Sequence, residues 1–162
     1  AYQAWHETHQ GLPMTIYARA SLAQYVDAER LLAETAAGLD FYNAWFDYAY
    51  PFDKYDHVFA PELGPGAMEN PGAVTMNESM IFRGATTADD FRDRNNTLLH
   101  EMAHMWFGDL VTMNWWDDLW LNEMKTSNGS GFSMINVKSI QRKWVVDDQS
   151  DCQWAVAGCS HG

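Results

Sequence analysis

The chain has 162 residues, 47% of them hydrophobic and 14% aromatic with eight Trp, the makeup of one folded domain rather than of a disordered segment. A net charge of −12 argues against nucleic acid and anionic membrane surfaces as partners, and no run of about eighteen apolar residues is present to span a membrane. Cys152 and Cys159 are too few for a disulfide scaffold, and no charged segment followed by an apolar one marks a signal peptide, so a cytoplasmic location is expected.

Met14, Ile16 and Ala18 alternate with Thr15, Tyr17 and Arg19, which predicts a strand over residues 13–20. Ser21 then offers an N-cap. Leu22, Tyr25, Val26, Leu32, Ala36 and Leu39 recur at helical spacing, predicting a long helix to about Tyr48, with Gly38 as its weak point and Pro51 as its stop. Residues 55–60 read as a strand, 61–66 as a Gly/Pro loop, and 73–82 as one strand or a hairpin pair. Thr87 with Asp90 resembles a capping box and Gly108 a C-cap, so a helix between them carries His100 and His104. A further helix starts near Asp117 or Asp118 and includes Glu123. Residues 126–133 read as loop, and 137–162 are weakly patterned. The expected fold is α+β, a small mixed sheet packed on helices.

The segment His100-Glu101-Met102-Ala103-His104 is H-E-x-x-H. At about 100° per residue, positions four apart share one helix face, so the two imidazoles can grip one ion. Glu101 projects beside them, close enough to take a proton from water at the metal without being a ligand. Glu123, farther on, supplies the third ligand if a second helix packs across the first. Two imidazoles and one carboxylate leave an open fourth position, the arrangement of catalytic Zn2+, one ion per chain, rather than of magnesium or calcium. The plain alternative is a pair of hydrogen-bonded core histidines. His6, His9, His57 and His161 have no partner at helical spacing and read as ordinary surface or core residues.

The run HEMAHMWFGDLVTMNWWDDLWLNE, with GAMEN at residues 66–70, closely resembles the zinc aminopeptidases of the aminopeptidase N family, and YARASLAQY and NPGAV resemble its actinobacterial branch. The resemblance implies a partial thermolysin-like zinc metallopeptidase catalytic domain. Residues 1–20 would be the end of an N-terminal β domain, 21–126 the first part of the catalytic domain, and 127–162 a divergent segment. It also implies that Glu69 binds the free α-amino group of a peptide substrate, and that the backbone of Gly66 and Ala67 lines that substrate. A carboxylate in such a place is satisfied by an ammonium, which selects chain ends. The implied activity is hydrolysis of the N-terminal peptide bond through zinc-activated water.

Departures from the family pattern accompany the match. Met124, Lys125 and Thr126 follow Glu123 where relatives carry Ser or Gly, then Phe and Ala. Relatives also use a tyrosine well downstream of that glutamate, and no Tyr follows Tyr55 here. An alternative expectation is therefore a catalytically impaired zinc-binding fragment. A metalloendopeptidase is a weaker rival, against which GAMEN argues, and epoxide-hydrolysing relatives carry Gly where Ala67 stands.

Overall fold

The computed structural model describes residues 1–64, 66–113 and, for the backbone, 144–146. It divides into two compact units, residues 1–105 and 106–162. The first is α+β, built on a mixed five-stranded sheet.

Two strands open the chain, β1 (Tyr2–His9) and β2 (Leu12–Arg19), paired antiparallel from Tyr2↔Arg19 to His9↔Leu12. The two residues between them, Gln10 and Gly11, both have positive φ, 50° and 89°, the signature of a type I′ hairpin turn. In β2 the alternating Met14, Ile16 and Ala18 are buried, as their period predicts. β1 carries no such alternation, so periodicity did not mark it; only the family resemblance, with residues 1–20 as the end of a β domain, left room for a strand there.

The long helix is shorter than its apolar pattern suggests. Residues 20–25 form a 3-10 helix, so Leu22 and Tyr25 sit in a tight turn three apart, and Ser21 caps nothing. The α-helix α1 (Ala28–Phe46) starts after Asp27, whose carbonyl accepts from Leu31 N at 3.1 Å. It ends at Phe46 because Asp47 turns left-handed, well before Pro51. Gly38 does not break it. A Cβ there would meet Leu99 Cδ2 at 2.8 Å and Met102 Sδ at 2.9 Å, so this glycine lets a second helix approach closely.

α1 is the crossover between parallel neighbours β2 and β3 (Tyr55–Ala60), in register Met14↔Tyr55 to Tyr17↔Val58. Thus β2, before residue 20, pairs directly with a strand that follows it. β3 is central and buried almost throughout, at Tyr55, Asp56, His57 and Phe59. The edge strand β4 (Ala67–Met68) runs antiparallel to β5 (Ala73–Asn77), which is parallel to β3, giving the order β1-β2-β3-β5-β4. The segment expected as a strand or hairpin over 73–82 is therefore one five-residue strand followed by a 3-10 turn at Glu78–Met80. Its antiparallel partner lies upstream in the GAMEN segment.

The helix α2 (Ala88–His104) opens on the expected capping box. Thr87 Oγ1 accepts from Asp90 N at 3.2 Å, and Asp90 Oδ2 accepts from Thr87 N at 2.8 Å, which holds the Asp90 carboxyl below its ordinary range. The helix stops at His104. Met105 N donates to Met102 O in a tightened last turn, so Gly108 is not its C-cap. In the second unit Gly108 N donates to Val111 O at 2.8 Å, and β6 (Val111–Met113) pairs antiparallel with β7 (Trp144–Val146), a strand not anticipated in the weakly patterned C-terminal stretch. Among the described residues no helix is long and apolar enough to cross a membrane.

Candidate metal centre

His100 and His104 occupy the last turn of α2, four residues apart and so on one face. Their Nε2 atoms converge to 3.1 Å, with the rings edge to face at 4.6 Å between centroids. His104 is buried and His100 half-buried. Two ring nitrogens that close either share a proton or share an ion. At Zn–N distances of about 2.0–2.1 Å, a 3.1 Å separation corresponds to an N–metal–N angle of about 100°, near tetrahedral.

Glu101, in the same turn, is buried, and Glu69 arrives from the end of the GAMEN segment, half-buried. Carboxylate oxygens of Glu69 and Glu101 and a ring nitrogen of His104 all lie within 4.8 Å of one another. A glutamate from beside the sheet edge thus meets two residues of α2 that lie three positions apart and 32 or more positions farther along the chain. His104, shared between His100 and these carboxylates, thus joins nitrogen and oxygen donors of the kinds that suit zinc.

The rest of the GAMEN segment is held by the sheet. Ala67 pairs with Met76 in β4, and Gly66 O accepts from Asn77 N at 2.9 Å. Asn70 Nδ2 donates to Thr75 Oγ1 at 3.0 Å, closing the segment behind Glu69. Because β4 ends the sheet order, Ala67 and Met68 form a sheet edge next to that glutamate. Glu123, the expected third ligand, and His161 lie outside the described residues.

The remaining histidines have ordinary surroundings. His6 Nδ1 lies 3.2 Å from Thr15 Oγ1, His9 Nε2 lies 2.7 Å from Asp40 Oδ1, and His57 is buried against Thr35.

Known proteins are similar to this chain over most of its length. A family model for the peptidase family M1 domain matches residues 31–155. Aminopeptidase N of Streptomyces lividans is 51% identical over 122 residues, covering 75% of this chain and 14% of that protein. Glutamyl aminopeptidase of Bos taurus is 35% identical over 144 residues, with 88% and 14% covered. Endoplasmic reticulum aminopeptidase 2 of Homo sapiens is 42% identical over 118 residues, with 72% and 12% covered. The chain thus spans 12–14% of the length of these relatives.

Proposed function

This chain belongs to peptidase family M1, a family of metal-dependent enzymes, and on that footing we propose that it is a zinc aminopeptidase, one ion per chain, cleaving the first peptide bond of peptides with a free N-terminus. The observation that carries the reading is that His104 stands in two groupings at once, its Nε2 3.1 Å from that of His100 and a ring nitrogen within 4.8 Å of carboxylate oxygens of Glu101 and Glu69.

His100 and His104 would hold the ion, with Glu123 as third ligand. When bound, zinc supplies Lewis acidity, lowering the pKa of water to about 7 and polarising a carbonyl. Glu101 takes the proton of the attacking water and returns it to the departing amine. Its burial keeps that proton out of exchange with bulk solvent. Glu69 accepts the substrate's α-ammonium in a charge-assisted hydrogen bond, and an acetylated terminus offers no such charge. Gly66 and Ala67 lay the sheet edge alongside the first residues of the peptide, where backbone groups can pair.

The reading is tested with the zinc-loaded chain on leucine p-nitroanilide. Turnover is expected to vanish in Glu101→Gln while bound zinc stays at about one per chain, and N-acetyl-leucine p-nitroanilide is expected to be refractory. Equal turnover of the acetylated compound would overturn the exopeptidase assignment, and full activity in Glu101→Gln would overturn the base.

A further inference from the structure

Directly after Glu69 the chain makes a tight turn. Ala73 N donates to Asn70 O at 2.9 Å, Pro71 sits at the second position and Gly72 at the third with φ of 68°, the pattern of a type II turn. Gly72 is buried, and its two backbone groups point to different parts of the fold. The carbonyl accepts from Asp56 N at 3.0 Å, fixing the turn to the start of β3. The N–H donates to Met105 Sδ at 3.4 Å.

That second bond joins two segments that matter. Gly72 stands three residues after Glu69, and Met105 stands one residue after His104, with no solvent exposure. The bond therefore spans from the carboxylate-bearing turn to the end of the imidazole-bearing helix. Packing alone asks for a side chain of Met volume, which Leu also provides. What Leu lacks is an acceptor, and a buried backbone N–H without one draws its segment toward water.

We propose that Met105 is a positioning residue, its sulfur holding the Glu69 turn in register with the metal helix. The proposal rests on the reading of Glu69 as the anchor for a free amine. Loss of the sulfur loosens the turn without touching the ligands, so amine recognition falls while metal binding stays.

The test uses the zinc-loaded full chain and two probes, L-leucine hydroxamate and N-acetyl-L-leucine hydroxamate, with affinities measured by calorimetry. The hydroxamate binds the metal in both, and the amine is free only in the first, so the ratio of the two dissociation constants reads the amine anchor without any turnover. Met105→Leu is expected to reduce that ratio about three- to tenfold, with the acetylated probe and the zinc affinity, from chelator competition, each within about twofold of the parent. Met105→Gln, similar in length and carrying a carbonyl acceptor, is expected to restore most of the ratio. An unchanged ratio in Met105→Leu, or a Gln variant as impaired as the Leu variant, overturns the positioning role and leaves the anchor standing. A parallel loss of zinc affinity in Met105→Leu also overturns it, making Met105 a packing residue of α2. A ratio near one in the parent chain overturns the anchor reading itself and the proposal with it.

Discussion

The Tyr42 hydroxyl, on α1, donates to the Leu99 carbonyl, on α2, at 3.0 Å, one residue before His100. Gly38, one turn earlier on α1, is the point where the two helices come close enough for that reach. Burial pushes the Tyr42 phenol up to about 12, so it remains a donor across the neutral range. Tyr42→Phe keeps the ring and removes one hydrogen bond, an expected loss of about 1 kcal/mol, whereas Tyr42→Ala opens a cavity beside the metal helix and is expected to cost about 3–5 kcal/mol. Urea unfolding at neutral pH measures both, and equal losses would mean that the hydroxyl contributes nothing to holding α2.

Arg94 is buried on α2 and reaches α1 with Nη1 and Nη2 at 2.9 and 3.1 Å from the two carboxylate oxygens of Asp27, with Glu34 at 3.5 Å. Removing one partner of a buried pair costs about 3–5 kcal/mol, but the Asp27 side chain is 37% exposed and can be rehydrated. Arg94→Ala is therefore expected to cost somewhat less than that range, about 2–3 kcal/mol. Arg92→Ala, which loses a solvent-facing pair with Asp89, should cost under about 0.5 kcal/mol. Equilibrium unfolding of the two variants side by side decides it, and similar losses would show that the Arg94 bridge is no stronger than a surface pair.

The parts of the fold legible in the sequence are those whose cause is local. The alternation of Met14, Ile16 and Ala18 comes from one face of β2, and the Thr87–Asp90 box closes within four residues. What sequence reading missed was set from a distance. Asp27 rather than Ser21 opens α1, and its carboxylate goes to a guanidinium 67 positions away. β4 is two residues long and is a strand only because β5 lies beside it. β1 lies mostly exposed at the sheet edge, so no apolar period marks it, and the one available signal was Gly11 before Leu12 in a two-residue turn. The centre divides in the same way. His100, Glu101 and His104 sit on one helix turn and could be read from spacing, whereas Glu69 came only from the family resemblance, because its approach to Glu101 is tertiary. Sequence reading assigned no turn to Pro71-Gly72, although Pro followed by Gly carries that signal, and nothing local marks its bond to Met105.

His57 gives the fold a pH dependence. It is buried in β3, with Nε2 at 2.8 Å from Thr35 Oγ1, while the Thr35 hydroxyl donates to Leu31 O at 2.7 Å. The one hydroxyl proton being used, Nε2 must be the donor, which leaves Nδ1 as a buried acceptor with no hydrogen-bond partner. Burial, opposed by the nearby Asp56 charge and aided by Arg94, lowers the pKa from 6.5 to about 4. Between those values the unfolded chain binds a proton that the folded chain does not, so stability rises with pH across the window. The contribution is fully present above 6.5 and is lost as pH falls toward 4, up to about 3 kcal/mol. His57→Gln keeps a donor toward Thr35 and removes the titration. The stability difference between parent and variant, from urea unfolding, is expected to shift by about 2 kcal/mol or more between pH 7 and 4.5, against the parent at the lower pH. A difference that stays constant with pH would rule His57 out as the acid-sensitive group.

Gly72 and Gly11 separate backbone strain from crowding. Both have positive φ, 68° and 89°, where a side chain costs about 1–2 kcal/mol. At Gly11 an added Cβ meets nothing within 4 Å, so Gly11→Ala is expected to show the conformational cost alone. At Gly72 the same atom would lie 3.1 Å from the Lys54 carbonyl oxygen, a backbone atom that cannot swing aside without moving the approach to β3. The Gly72 carbonyl is already bonded to Asp56 N there, so the strain falls on a contact the turn relies on. Gly72→Ala should therefore destabilise by more than Gly11→Ala, by about 1 kcal/mol or more beyond it, in paired urea titrations. Equal destabilisation would mean that the turn after Glu69 is free to shift, and that its position owes little to β3.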